Sequence, residues 1–473
     1  MEDRPSSSFI AAFTRLTCFF LMILLASPAI ARSIPKNIEL GNGNEKKDAV
    51  ECEGRWIHIR ELPARFNTEL LQGCNSFHIF TDDFCPFLAN HGLGPRTHNR
   101  SISWYRTDSH YLEPFFHHRL LEYPCLTADP ARADAVFLPY YASLDALPYL
   151  YSPDFYNDSA QHGLNLQRFL VYEDNPQIWA RRSGHDHFLV MARPAWDFSQ
   201  DPDIYPPSWG TSILHLPAFL NLTALTFESR PDSWQEHAIP HPTSFHPASL
   251  DRLESWLDRA RRSRRPKLML FAGGGGGGGP NIRGSIRAEC ENRTDLCEVV
   301  DCSDGACSHD PIRYMLPMLR SRFCLQPPGD TPARRSTFDA ILAGCIPVFF
   351  EELSARLQYG WHLPPDKYET FSLFIPKEDV VYGGVHVTDV LEAINDEKVR
   401  RMRRRVLELA PGVMYRRHGS SVGLRSRKDA FDLAIDGVLR RIKLRSVPVG
   451  LPERLLFDEV KDDVKHLLMD GLD

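Results

Sequence analysis

Two adjacent arginines and a carboxylate four residues further on, Arg334, Arg335 and Asp339, are the densest chemistry in this chain of 473 residues. They follow Gly329-Asp330-Thr331-Pro332-Ala333. Two cations in the first turn of a helix oppose its dipole. An anion between them removes the conflict, and free N–H groups at Gly329–Thr331 suit a phosphate. The same spacing also permits an intrahelical Arg335–Asp339 pair, with Arg334 left to solvent.

The stretch Arg322–Phe350 that carries these residues reads as strand, turn, helix, strand. Phe323–Gln326 is a short apolar run stopped by Pro327, Pro328 and Gly329. Thr331 is expected to cap the helix, with Pro332 at its first position. Phe338, Ile341 and Leu342 supply a buried stripe. Gly344 suits the left-handed residue after the helix end, and Ile346–Phe350 is a second buried strand. This is one βαβ unit of a parallel sheet.

The run Phe323-Cys324-Leu325-Gln326-Pro327-Pro328-Gly329-Asp330, continued by Arg334 to Phe350, resembles the exostosin family, glycosyltransferase family 47, and within it the plant xyloglucan galactosyltransferase-like branch. Tyr359-Gly360-Trp361-His362-Leu363-Pro364, Gly184-His185-Asp186-His187-Phe188, Asn221-Leu222-Thr223-Ala224-Leu225-Thr226 and Gly284-Ser285-Ile286-Arg287 carry the same likeness. The resemblance implies an α/β protein of the GT-B type, with two Rossmann-like domains facing a cleft. It implies an inverting mechanism, a nucleotide-sugar donor and Golgi residence.

Composition sets wider bounds. Hydrophobic residues at 43% and charged residues at 25% are ordinary for a globular protein, and the net charge of −6 gives no sign of a nucleic-acid partner. Arg259–Lys267 and Arg400–Arg405 are basic clusters on helical patterns, read as solvated faces. Leu16–Ala31 is an apolar run behind Arg4 and Arg15. It is either a cleaved signal or an uncleaved signal-anchor helix, and the basic flank gives a type II orientation. Ten of the eleven cysteines follow it, as expected of disulfides in an oxidising compartment. Zinc is the rival for the cluster Cys290, Cys297, Cys302 and Cys307. Sequons at Asn99, Asn157, Asn221 and Asn292 fit a lumenal fate.

The expected organisation is a cytoplasmic tail and anchor over 1–32, a stem over 33–50, an acceptor-side domain over 51–245, a nucleotide-sugar domain over 246–445 and a tail over 446–473. Ile57–Ile59, Phe77–Phe80, Ala135–Tyr140 and His187–Met191 read as strands of the first domain. Leu250–Arg262 reads as an amphipathic helix after a proline-rich linker. Leu268–Ala272 is the first strand of the second domain. Gly273–Gly279 follows it and departs from the ordinary loop of the family. Thr370–Ile375 reads as a later strand, and Lys428–Leu439 as a helix packing across the domain junction.

Transfer of a sugar from a nucleoside diphosphate needs a stabilised leaving group, a held ribose and a proton acceptor. Arginines supply the first without metal, so no cofactor or obligate metal is expected. Arg335, Arg287, Arg334 and Arg283 are the candidates, with Gly329 in the loop. Asp339 is assigned to the ribose. Loops beyond strand C-termini line the crevice of a parallel sheet, which selects Asp197 as base, with Arg193 and Trp196, and Glu351 near the donor sugar. Trp196, Trp209 and Trp361 are candidates for stacking on sugars, or for core packing. Asp186 and His187 stand at a strand's entry end and are read as structural. Asp201-Pro202-Asp203 is too short and proline-bound a pattern to argue for metal. The expected activity is transfer of galactose from UDP-galactose to xyloglucan side chains by a single-pass Golgi membrane enzyme alongside other Golgi glycosyltransferases. The alternatives are another UDP-sugar and wall polysaccharide, or a non-catalytic Golgi scaffold or glycan-binding relative.

Overall fold

The computed structural model describes residues 52–72, 74, 84–98, 102–151, 156–204, 209–275 and 281–445, which belong to one compact unit. The anchor run, the stem, Phe77–Phe80, Asn99, the later part of the glycine run and the tail after 445 lie outside these residues. No helix among the described residues is long and apolar enough to cross a membrane.

Two parallel five-stranded sheets organise the chain. The first holds β1 (Ile57–Ile59), β2 (Ala135–Phe137), β3 (His187–Val190), β4 (Thr223–Thr226) and β5 (Glu236–Ala238), in the order β1-β2-β3-β4-β5. The second holds β6 (Lys267–Gly273), β7 (Cys297–Asp301), β8 (Ser321–Gln326), β9 (Ile346–Phe349) and β10 (Leu373–Phe374), in the order β10-β9-β8-β6-β7. Central strands of parallel sheets are covered on both faces and so read as unbroken apolar runs. Leu268–Phe271 is such a run and is wholly buried.

The helices used below are α1 (Leu112–Leu120), α2 (Leu250–Arg262), α3 (Ile282–Asn292), α4 (Pro311–Arg320), α5 (Ser336–Leu342), α6 (Asp396–Val413) and α7 (Ala430–Arg445). Helix α2 buries Leu253, Trp256, Leu257 and Ala260, one stripe at helical spacing. Helix α7 crosses back to the first sheet. Its Phe431, Ala434, Ile435, Val438 and Ile442 share a core with Ile57, Phe137, Phe188 and α1. The motif at Tyr359–Pro364 secures this return. His362 bonds the Ala430 carbonyl at 3.0 Å, and Trp361 stacks on His237 at 4.4 Å beside Gly437. Trp361 is therefore a packing residue, the second of the two roles its sequence allowed.

The unit β8–α5–β9 forms as expected, with Phe323 opposite Ile346 in parallel register and Gly344 at φ +66°. Its helix, however, begins at Ser336 and not at Thr331. In the segment ahead of the helix, the Ala333 N–H donates to Glu228 Oε2, at 2.9 Å. Thr370–Ile375 is also corrected: a helical turn, Tyr368–Phe371, takes up its start, and only Leu373–Phe374 pairs with β9. The clustered cysteines pair as Cys290–Cys297 and Cys302–Cys307, which removes the zinc alternative. Cys52–Cys125, Cys74–Cys85 and Cys324–Cys345 complete the disulfides among the described residues.

Candidate active site

The strand order of the second sheet reverses between β6 and β8, since β7 lies on the far side of β6. At such a reversal, loops leaving adjacent strand ends part to opposite faces and open a crevice. Gly329 follows the end of β8 here, and α3 follows the loop after β6. The guanidinium groups of Arg334 and Arg283 converge on Gly329 so closely that a Cβ on it would strike both. Arg283 Nε donates to the Pro328 carbonyl at 2.9 Å. Arg334 reaches Thr331 Oγ1 at 3.5 Å, while its Nε and Nη2 are buried without a hydrogen-bond partner. Burial, then the neighbouring Arg283, brings the Arg334 guanidinium down to about 10. Two like charges held together with N–H donors unused form a notch that an anion would satisfy.

Arg335 faces elsewhere. It donates to the Thr107 carbonyl at 2.8 Å, to Ser244 Oγ at 2.8 Å and to Tyr314 OH at 3.4 Å. Thr107 and Ser244 precede the second sheet in the chain, so Arg335 fastens the two sheet-bearing halves together. Asp339 Oδ2 lies 3.8 Å from Arg335 Nε, and its Oδ1 is buried without a partner. Burial pushes this carboxyl up to about 6 against the pull of Arg335. Asp339 thus braces Arg335 from behind, closed off from solvent. The sequence-based roles, Arg335 on a pyrophosphate and Asp339 on a ribose, do not match this arrangement. Arg287, on α3, is partly exposed and reaches Asp301 at 3.4 Å.

Beyond β3, Asp197 accepts from Arg193 Nη1 at 2.7 Å and from Trp209 Nε1 at 2.8 Å. Each oxygen thus holds one fixed donor, and Asp197 braces Arg193 and Trp209. Arg193 also donates to Tyr151 OH, and Tyr151 meets Trp209 ring to ring at 5.3 Å. Trp196 and Trp209 remain 36% and 46% exposed, forming an aromatic shelf suited to sugar faces. Glu351 is paired with Lys377 in a small recess with Phe349, Tyr368 and Phe374. Asp186 is wholly buried between Arg181 and His187, as its position at the strand entry implied. Asn221 donates to the Ser183 carbonyl, and Asn292 is exposed at the end of α3.

Three residues that the sequence did not single out complete the site. Glu228, 1% exposed, accepts from Trp196 Nε1 at 2.8 Å and from the Ala333 N–H, so one carboxylate joins the aromatic shelf to the segment carrying Arg334. His241 stacks on Phe227 at 4.2 Å; burial, then Arg335, His110 and Arg334, keeps its ring neutral. Glu113 accepts from the Ser143 and Ala192 N–H groups beyond β2 and β3, and burial raises its carboxyl to about 8. A lone acid within the apolar run of α1 was the available signal for Glu113. Glu228 and His241 offered none, because their partners are remote in the chain.

Known proteins bear on this geometry. The Exostosin GT47 domain model matches residues 51–391. A probable xyloglucan galactosyltransferase of Arabidopsis thaliana, GT19, is 63% identical over 399 residues, 83% of this chain and 91% of the relative. The Arabidopsis xyloglucan galactosyltransferase XLT2 is 38% identical over 403 residues, 83% of this chain and 76% of the relative. The Arabidopsis xyloglucan-specific galacturonosyltransferase 1 is 34% identical over 407 residues, 85% of this chain and 59% of the relative. With most of its described length matched, the chain belongs to the exostosin GT47 family of glycosyltransferases.

Proposed function

We propose that this chain is an inverting, GT-B-type galactosyltransferase that moves galactose from UDP-galactose to xyloglucan side chains. The observation that carries the reading is the notch over Gly329, where Arg283 and Arg334 converge with N–H donors unused. A diphosphate seated there would meet fixed positive charge as its bond to the sugar breaks, with no metal required. Trp196 and Trp209 would hold the acceptor glycan, and Glu228 would fix the distance between acceptor shelf and notch. The names of the relatives support xyloglucan as acceptor and galactose as the transferred sugar. The disulfides and the exposed sequon at Asn292 support a lumenal catalytic region behind a type II Golgi anchor.

A second reading, a uronic-acid donor, is favoured by the galacturonosyltransferase among the relatives. The test is UDP release by the purified full-length protein, with a panel of UDP-sugars and xyloglucan oligosaccharides. UDP-galactose should give release that depends on the oligosaccharide. Faster turnover with UDP-galacturonate would install the second reading. Silence with every donor would replace both with a non-catalytic role.

A further inference from the structure

We propose that His91, His118 and His418 form a binding site for a zinc ion. The three rings come from separate segments: His91 precedes α1, His118 lies on α1, and His418 lies in the loop between α6 and α7. One ligand nitrogen from each lies within 4.8 Å of the others. His91 and His118 stack at 3.5 Å, and His418 meets both edge-on at 4.5 and 4.8 Å. Nitrogens around a tetrahedral zinc sit about 3.4 Å apart at bond lengths of about 2.05 Å; since His91 and His118 lie face to face, binding requires these two rings to swing out of their stack until both lone pairs point at the common ion.

Several features suit these rings to ligation. None of their nitrogens has a hydrogen-bond partner among the described residues, and Nδ1 of His418 is buried in that state. Among the fully buried histidines, His246 bonds Thr107 and Tyr415 and His162 bonds Tyr140 and Thr211, whereas His187 and His362 each keep one nitrogen without a partner. Glu122 faces all three electrostatically and accepts from the Gly419 N–H, next to His418. It also accepts from Arg119 at 3.3 Å, so it supports the cluster from outside and leaves the fourth position to water.

His91 has a left-handed backbone, φ +59°, beside Asn90, whose Nδ2 donates to the Gly94 carbonyl at 2.8 Å. An all-imidazole set selects zinc over magnesium, calcium or manganese, which prefer oxygen. Bound zinc would join the segment around α1 to the loop that leads into α7.

The experiment uses purified full-length protein, stripped with EDTA and then dialysed against ZnCl2 or MgCl2. Metal content is measured by mass spectrometry, zinc affinity by calorimetry and the melting midpoint by circular dichroism. The variants are His418→Gln and His91→Asn, the latter because Asn tolerates a left-handed backbone. The parent should retain one zinc per chain more than either variant. Each variant should bind zinc at least about tenfold more weakly. Zinc, and not magnesium, should raise the melting midpoint of the parent alone. Equal zinc uptake by parent and variants, or an equal midpoint shift in all three, would overturn the proposal. Midpoints taken in EDTA identify a variant that fails to fold, and the other variant then decides.

Discussion

The two sheets have the same number of strands and the same parallel sense, yet only one builds a cationic notch. The first runs in chain order and the second reverses between β6 and β8. In the ordered sheet, the polar groups beyond the strand ends are turned on one another: Glu113 Oε1 takes two N–H groups and Asp197 takes Arg193 and Trp209, with Glu113 Oε2 and Arg193 Nε left over. At the reversal, Arg283 and Arg334 meet with donors to spare. A strand order without a reversal leaves its loops free to pack together, whereas a reversal parts them and leaves a gap for ligand. The contrast reaches single residues. Arg334 faces the gap, and Arg335, next to it in the chain, is spent on Thr107, Ser244 and Tyr314.

This contrast can be tested by separating stability from turnover. The largest effect should come from Phe431→Ala, which empties a buried site in the core of the ordered sheet. It should cost about 3–5 kcal/mol in unfolding free energy, read by denaturant titration, while UDP release per folded molecule stays near the parent value. Next, Arg334→Ala should lower kcat about 10²- to 10³-fold and leave the melting midpoint unchanged. A matching loss of stability would make Arg334 a second clamp and erase its difference from Arg335.

Asp339→Asn sharpens the clamp side. The Asp339 carboxyl titrates near 6 when folded and about 3.9 when unfolded. The folded state therefore holds its proton more tightly, and this contribution to stability is present below pH 4 and lost as pH rises through 6. The Asn variant should gain on the parent between pH 4 and 7 by about 3 kcal/mol, measured by unfolding across that range. A flat difference would deny the burial of this charge. Smallest of all, Arg287→Ala should change stability by less than about 0.5 kcal/mol, as expected for an exposed pair. It should also leave the KM for the donor within about twofold, since Arg287 reaches Asp301 and not Gly329.

Much of this architecture was legible in the sequence. The apolar run of β6, the stripe of α2 and the β8–α5–β9 unit are local patterns, and local physics decides them. The start of α5 was not legible. Thr331 and Pro332 are sound start signals, yet the helix opens at Ser336, and the segment before it is held by a contact the sequence cannot show, from the Ala333 N–H to Glu228, more than a hundred residues earlier. The roles of Arg334 and Arg335 could not be separated from spacing either. What distinguishes them is the presence of Thr107 and Ser244 on one side and Gly329 on the other. Of the two fates open to Trp361, core packing holds, and the sequence could not decide it because His237 and Gly437 meet the ring only after α7 returns.

That return has a consequence for biogenesis. A ribosome releases Ile57 long before Ile442, by roughly 20–80 s at synthesis rates of about 5–20 residues per second. Through that interval the earlier sheet exposes the greasy surface that Phe431, Ile435 and Val438 will later cover. The nascent chain must wait, chaperoned or aggregation-prone, for α7. Deletions from the far end of the gene would therefore injure the part of the molecule translated first.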